Sequence, residues 1–134
     1  MAGDSDTPLA KKLGYREGMR VRLVHAPDHY DALVAPLPGG VRFDIRMGPG
    51  TDLVHLFVKR AAELGRRLAD CRRVLRTEAV VWVSWPKKAS GVDTDITEDT
   101  VREHALPLGY VDVKVCAVDD TWSGLKLVVR KELR

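Results

Sequence analysis

The chain has 134 residues, 45% of them hydrophobic and 31% charged, with a formal net charge of +3. This length and composition predict one globular domain and exclude a disordered or fibrous chain, and the mild positive charge favours anionic partners. The start, MAGDSDTPLAKK, has no apolar core, so we expect no signal peptide, no membrane partner and a cytoplasmic location. Cys71 and Cys116 are too isolated for a disulfide framework, so we expect two buried thiols.

The first half of the chain predicts two short helices and three strands. Thr7 and Pro8 suit a helix N-terminus, and Gly14 suits its end. Pro27 breaks the first strand, after which Asp28 is expected to cap the second helix. In chain order we predict a helix over 9–13, a strand within 19–27, a helix over 29–34, and strands over 41–46 and 52–58.

The second half predicts two helices and three strands. Apolar residues recur every three or four positions from Lys59 to Arg76, which indicates one long amphipathic helix. The run AVVWVSW, residues 79–85, is apolar nearly throughout, as expected for a central strand buried on both faces. A helix begins at Thr97 and ends near Gly109. Strands over 111–118 and 125–131 then follow, joined by the turn DDTWSG.

Alternating strands and helices predict an α/β fold with a parallel sheet. We expect a three-layer, doubly wound arrangement in a single Rossmann-like domain spanning residues 1–134. Its sheet should be mostly parallel, have about six strands, and finish in an antiparallel hairpin at one edge.

The stretch LGYREGMRVRLVHAP resembles the lead-in to the first motif of Rossmann-like methyltransferases, and the later strands and long helix follow the same order. The resemblance implies a nucleotide-type cofactor site after the first strand. Such a site needs glycines there so that the backbone can approach the ligand, whereas this chain has HAPDH at 25–29. A ribose-binding acid after the second strand is also missing, because Asp44 is followed by Ile45 and Arg46. We therefore assign no cofactor.

Four other stretches carry a second resemblance over nearly the whole chain. TPLAKKLG, WVSWPKKASGV, TDITEDTVRE and DTWSGLKLVVR resemble an uncharacterised bacterial family, a domain of unknown function. That resemblance implies a family without an activity.

In an open α/β sheet, ligands bind at the carboxyl ends of the strands, and several polar segments are expected to meet there. Lys87 and Lys88 would neutralise an anion, Ser90 would donate a hydrogen bond, and Trp122 would offer a stacking face. The competing interpretation is a solvated lysine pair bound to Asp93 or to the hairpin acids. The remaining candidate ligand-binding residues at this rim are His25, Asp28, Asp119 and Asp120.

Neither catalysis nor metal binding has a convincing residue set. A lysine nucleophile requires a depressed pKa, which neighbouring carboxylates would cancel. The four histidines do not have the spacing of a metal site. Asp93, Asp95 and Glu98 resemble a calcium loop without its glycine, and helix capping explains them better. We assign no catalytic residue and no metal.

The long helix carries seven arginines and lysines against Glu63 and Asp70. No aromatic residues interleave with them, so we expect a solvated or partner-facing surface rather than nucleic-acid binding. The sequence therefore predicts a non-catalytic Rossmann-like domain that binds a small anionic ligand or a protein partner at the carboxyl ends of its strands. The alternative is a small methyltransferase-like transferase with an atypical cofactor loop.

Overall fold

The computed structural model describes residues 7–134, so half of the N-terminal stretch discussed above lies outside it. The described chain contains four α-helices and six strands. In chain order they are α1 (Leu9–Leu13), β1 (Arg20–Val24), α2 (Tyr30–Val34), β2 (Arg42–Phe43), β3 (Leu53–Phe57), α3 (Ala61–Val74), β4 (Val80–Pro86), α4 (Glu98–Ala105), β5 (Tyr110–Ala117) and β6 (Trp122–Val129).

All six strands form one sheet in the order β2-β1-β3-β4-β6-β5. The strands β2, β1, β3 and β4 are parallel, while β6 pairs antiparallel with both β4 and β5. The expected α/β fold with a mostly parallel sheet and a closing antiparallel hairpin is thereby confirmed. Because β6 inserts between β4 and β5, the edge strand β5 runs in the same direction as β4.

The two faces of the sheet bury different sets of side chains. Along β3, Val54 and Leu56 join the hydrophobic cluster that contains α3 and α4 residues. Leu53 and Phe57 join the cluster that contains α1 and α2 residues. This alternation is the period of two that a strand imposes on its side chains. Both cysteines are buried without a disulfide, as expected.

A chain of hydrogen bonds crosses the second of these clusters. The hydroxyls of Tyr15 and Tyr30 are 2.7 Å apart, and Tyr30 Oη lies 3.0 Å from His55 Nδ1. His55 Nε2 lies 2.8 Å from Ser84 Oγ. His55 and Ser84 are fully buried, so the chain satisfies polar atoms that would otherwise be costly in the core.

Helix starts differ from the sequence expectation at two places. The N-cap position of α1 is Pro8 rather than Thr7. The N-cap position of α2 is His29 rather than Asp28, and no side-chain oxygen caps that helix. In both cases a short helix is held by packing, since Leu13 and Tyr30 are buried, and a side-chain cap is not needed to define its start.

Two strand boundaries also differ. The predicted strand over 41–46 is reduced to Arg42–Phe43, because the chain leaves the edge of the sheet at Asp44. The predicted turn DDTWSG is shorter, since Trp122, Ser123 and Gly124 already belong to β6. Gly124 suits a strand here because a Cβ would lie only 3.2 Å from the Cys116 carbonyl oxygen. Within residues 7–134 no helix is both long and apolar enough to cross a membrane.

Candidate functional site

The loops that follow β1, β3, β4 and β5 lie at the carboxyl ends of these parallel strands. The sheet register brings two of these loops together, because Pro86 pairs with Trp122 at the end of β4. The Lys87 amide then donates a 2.7 Å hydrogen bond to the Thr121 carbonyl oxygen. The loop over 86–91 and the turn over 119–122 are therefore neighbours, as the sequence predicted.

Two histidines tie the loop after β1 to its surroundings. His25 has a φ of 58°, a left-handed conformation that favours glycine. Its Nδ1 lies 3.3 Å from Glu63 Oε2 on α3. His29 Nε2 lies 3.0 Å from Asp119 Oδ2, so the loop after β1 is joined to the hairpin turn. The loop after β1 therefore contains no glycine, and it is held by polar contacts of His25 and His29.

Asp119 holds the hairpin turn together. Its Oδ1 accepts hydrogen bonds from the amides of Thr121 and Trp122, at 2.9 and 2.8 Å. Although partial burial opposes it, hydrogen bonding from His29 and these two amides lowers the pKa of Asp119. The carboxylate is therefore already occupied by its own chain.

The two lysines lack the acidic partners that the competing interpretation supplies. Within residues 7–134, neither Lys87 nor Lys88 forms an ion pair. Asp93 instead pairs with Arg60 at 2.7 Å, and Asp119 pairs with His29. The ion pairs postulated for these lysines are thus not observed in the described chain.

Ser90 stabilises its own loop. Residues Lys88–Ser90 form a single 3-10 turn that ends at Gly91, which has a φ of 74°. The Ser90 hydroxyl donates to the Lys87 carbonyl oxygen at 2.6 Å and accepts from the Val92 amide at 3.2 Å. These bonds fix the loop that carries the lysines and leave the hydroxyl engaged.

A cleft of about 450 Å³ opens between this loop and the start of α4. Lys87 and Lys88 line it on one side, and Thr97 and Glu98 line the other. Trp85 and Ser123 also line it, although neither was a candidate from sequence. They are paired across β4 and β6, so they lie on one face of the sheet. The signal available for Trp85 was its place near the end of the central strand, two residues before Lys87.

The other candidates lie outside this cleft. The Trp122 ring packs edge-on against Phe57, with centroids 5.1 Å apart, in the cluster that contains α1 and α2 residues. Asp28 and Asp120 are exposed. The structure therefore divides the eight candidates. The two lysines line the cleft, and Ser90 stabilises the loop that carries them without lining the cleft itself. The three acids and His25 lie in neighbouring loops, and Trp122 begins β6.

Two acidic residues, Asp95 and Glu98, also line the cleft, and both are engaged by other groups of the protein. Asp95 Oδ1 accepts a 2.7 Å hydrogen bond from the Ala61 amide at the start of α3, and Glu98 pairs with Arg102. Thr97 caps α4 through reciprocal bonds with Thr100. No group of three or more metal-ligating side chains occurs in the part of the chain that the structure describes.

The family of the chain follows from a sequence match over residues 44–131. That family is described as a protein of unknown function (DUF3052), and the chain belongs to it. The match includes the long helix, the lysine loop and the whole closing hairpin. No curated protein matches the sequence.

Solved structures share the fold at low sequence identity. A SAM-dependent methyltransferase from Aquifex aeolicus superposes with a TM-score of 0.64 at 14% identity, over 91% of this chain and 88% of that one. A candidate type 11 methyltransferase from Sulfolobus solfataricus gives 0.64 at 9% identity, over 96% and 92%. A candidate exported protein from Bordetella parapertussis gives 0.64 at 10% identity, where the match covers 90% of this chain and 65% of that one. The chain therefore has a methyltransferase-like Rossmann fold.

Proposed function

We propose that this domain binds a small anionic ligand without catalysing a reaction, and that its site is the cleft beside Lys87 and Lys88. The observation that carries the proposal is the pair of lysines bordering a cleft with no carboxylate partner in the described chain. Two positively charged side chains that line one cleft and form no ion pair among the described residues favour a bound anion.

The groups around the lysines favour an anion as well. The Ser123 hydroxyl makes no hydrogen bond with residues 7–134. The Trp85 indole N–H also makes none within the described chain, and it is not fully buried. Both can donate to an acceptor in the cleft. Asp95 and Glu98 are held by the α3 amide and by Arg102, which reduces their competition for the lysines.

A protein partner with an acidic segment could bind to the same two lysines. The other alternative, a methyltransferase-like transferase, is supported only by the similarity of the fold. The non-catalytic form is favoured because no described group pairs a nucleophile with a base at the cleft. The buried pair His55 and Ser84 is 2.8 Å apart, but both side chains lie in the core, out of reach of a substrate.

The proposal predicts that a double substitution, Lys87→Ala with Lys88→Ala, weakens the binding of pyrophosphate or citrate at least about tenfold, since losing about 1.4 kcal/mol of binding free energy has that effect. Isothermal titration calorimetry would measure it. The matched control is Lys11→Ala with Lys12→Ala, an adjacent lysine pair on α1 that does not line the cleft. Equal loss in both variants, or no binding by the parent, would contradict the site.

The proposal also covers the layer arrangement, the number of domains, the cellular location and the class of partner. A three-layer, doubly wound arrangement is supported by the two hydrophobic clusters, and a single domain by one sheet that uses strands from residue 20 to residue 129. Buried thiols without a disulfide fit a reducing cytoplasm. Nucleic acid is not proposed as a partner, because Arg60, Arg67 and Arg73 on or beside α3 already pair with carboxylates.

A further inference from the structure

A second cavity lies on the face of the sheet that packs against α3, close to the β2 edge. It measures about 270 Å³ and is lined by β1, by the segment 45–47 and by α3. The cavity exists because β2 has only two residues and the chain leaves the sheet at Asp44. We call it the arginine groove, after Arg22, Arg46, Arg67 and Arg73, which line it.

The charges of the groove are unbalanced. Arg67 pairs with Glu63 at 3.3 Å, and Arg73 pairs with Asp70 at 3.0 Å. Arg22 and Arg46 form no ion pair with any residue of the described chain. Asp70 is the one acidic side chain among the described lining residues, and Arg73 already neutralises it. Two guanidinium groups are thus available for an anion.

The remaining walls are apolar. Val24 and Leu56 are buried at the floor, and Met47 and Val74 complete it. Ile45 also lines the groove and is 84% exposed, the highest exposure among the large hydrophobic side chains described. A fully hydrated inorganic ion would leave these apolar surfaces in water, so they favour a ligand with an apolar body.

We infer that the arginine groove binds a small molecule that carries a carboxylate or phosphate on a short apolar body. The fork of a guanidinium matches the two oxygens of either anion, and the floor accepts an acyl or aromatic group. This site is separate from the cleft beside Lys87 and Lys88. None of the residues that line one lines the other.

The test uses octanoate and octyl phosphate as probes for the two anion types, with octyl glucoside as the uncharged comparison and inorganic phosphate as the comparison without an apolar body. Calorimetry on the full chain should show binding of at least one charged octyl probe. Inorganic phosphate and octyl glucoside should each bind at least about tenfold more weakly, because each lacks one half of the recognised chemistry.

The decisive variant is Arg22→Gln with Arg46→Gln, which should weaken the binding of the charged octyl probe at least about tenfold. The charge-matched control is the double variant Arg42→Gln with Arg66→Gln, which removes two positive charges from side chains outside the groove and should change binding less than about twofold. The lysine variant, Lys87→Ala with Lys88→Ala, should also change binding less than about twofold. Unchanged binding in the groove variant, equal loss in the charge-matched control, or no binding of either probe by the parent would overturn the inference. Loss confined to the lysine variant would place the probe in the other cleft and would equally overturn it.

Discussion

At the scale of single residues, His55 shows how a polar group can occupy the centre of the sheet. A neutral imidazole offers one donor and one acceptor, and here Tyr30 and Ser84 use both ring nitrogens. Burial lowers the pKa of His55 to about 3, because the interior disfavours the charged form. The histidine therefore stays neutral in the folded protein while it takes up a proton in the unfolded chain below about pH 6.5.

This difference predicts an acid-sensitive fold. Between about pH 6.5 and 3 the unfolded chain binds the extra proton, so stability falls as the pH falls and the penalty is absent above that window. We expect His55 alone to make the protein about 2 kcal/mol less stable at pH 5 than at pH 7. Urea unfolding at the two pH values measures the change, and His55→Gln should reduce it by about that amount.

The control is His25→Gln, since His25 is exposed and should leave most of the pH dependence in place. If His55→Gln does not fold, NMR titration of the parent gives the same information. An imidazole of His55 that protonates near pH 6 in the folded state would contradict the prediction.

At the scale of elements, α3 and α4 approach each other at Gly65. A Cβ on that residue would lie 3.9 to 4.0 Å from three ring atoms of His104, which is an ordinary contact. Gly65 lies inside a 14-residue helix, where glycine costs about 1 kcal/mol relative to alanine. We therefore expect Gly65→Ala to raise the free energy of unfolding by about 0.5–1 kcal/mol, as measured by urea denaturation.

Gly109 provides the matched comparison. Its φ is +98°, and a Cβ there would lie 2.8 Å from Leu133 Cδ1. Gly109→Ala should therefore lower stability by about 1 kcal/mol or more, because the backbone conformation disfavours a side chain. A loss of stability in Gly65→Ala as well would mean that the helices pack more tightly than the structure shows.

The elements that sequence predicts well are those whose pattern is long. The stripe of Leu64, Leu68 and Cys71 defined α3 to within a few residues, and the apolar run of β4 placed it inside the sheet. The ends of β2 could not be predicted from the sequence. Its alternating pattern extends over residues 41–46, but only Arg42 and Phe43 pair with β1 at the edge of the sheet. The sequence predicted that the loop over 86–91 would meet the turn over 119–122, but it did not predict the pairing of individual residues, such as Trp85 with Ser123.

At the scale of the whole molecule, the fold resembles methyltransferases but its switch point differs. Strand order reverses between β1 and β3, where the cofactor of such folds would be expected. His25 and Pro27 follow β1 in place of glycines, and His29, at the start of α2, is bonded to Asp119. The loop after β1 thus lacks the glycines that let the backbone approach a nucleotide, and the residue at the start of the following helix contacts the protein's own hairpin turn.

We therefore predict that S-adenosylmethionine does not bind. Calorimetry with the purified protein should show no heat of binding at ligand concentrations that saturate an active methyltransferase, which serves as the instrument control. A dissociation constant in the micromolar range would contradict the prediction and would favour the transferase alternative over a non-catalytic domain.

The position of β6 has a consequence for how the protein is made. Leu125 and Leu127 are fully buried, and their strand lies between β4 and β5 although it is the last of the six in the chain. On the ribosome, β4 leaves the exit tunnel well before its antiparallel partner, and a nascent chain that stops before residue 122 has no strand to place beside it. The sheet closes only after β6 has been synthesised, so termination before residue 122 leaves an unpaired, apolar strand edge open to aggregation or to capture by a chaperone.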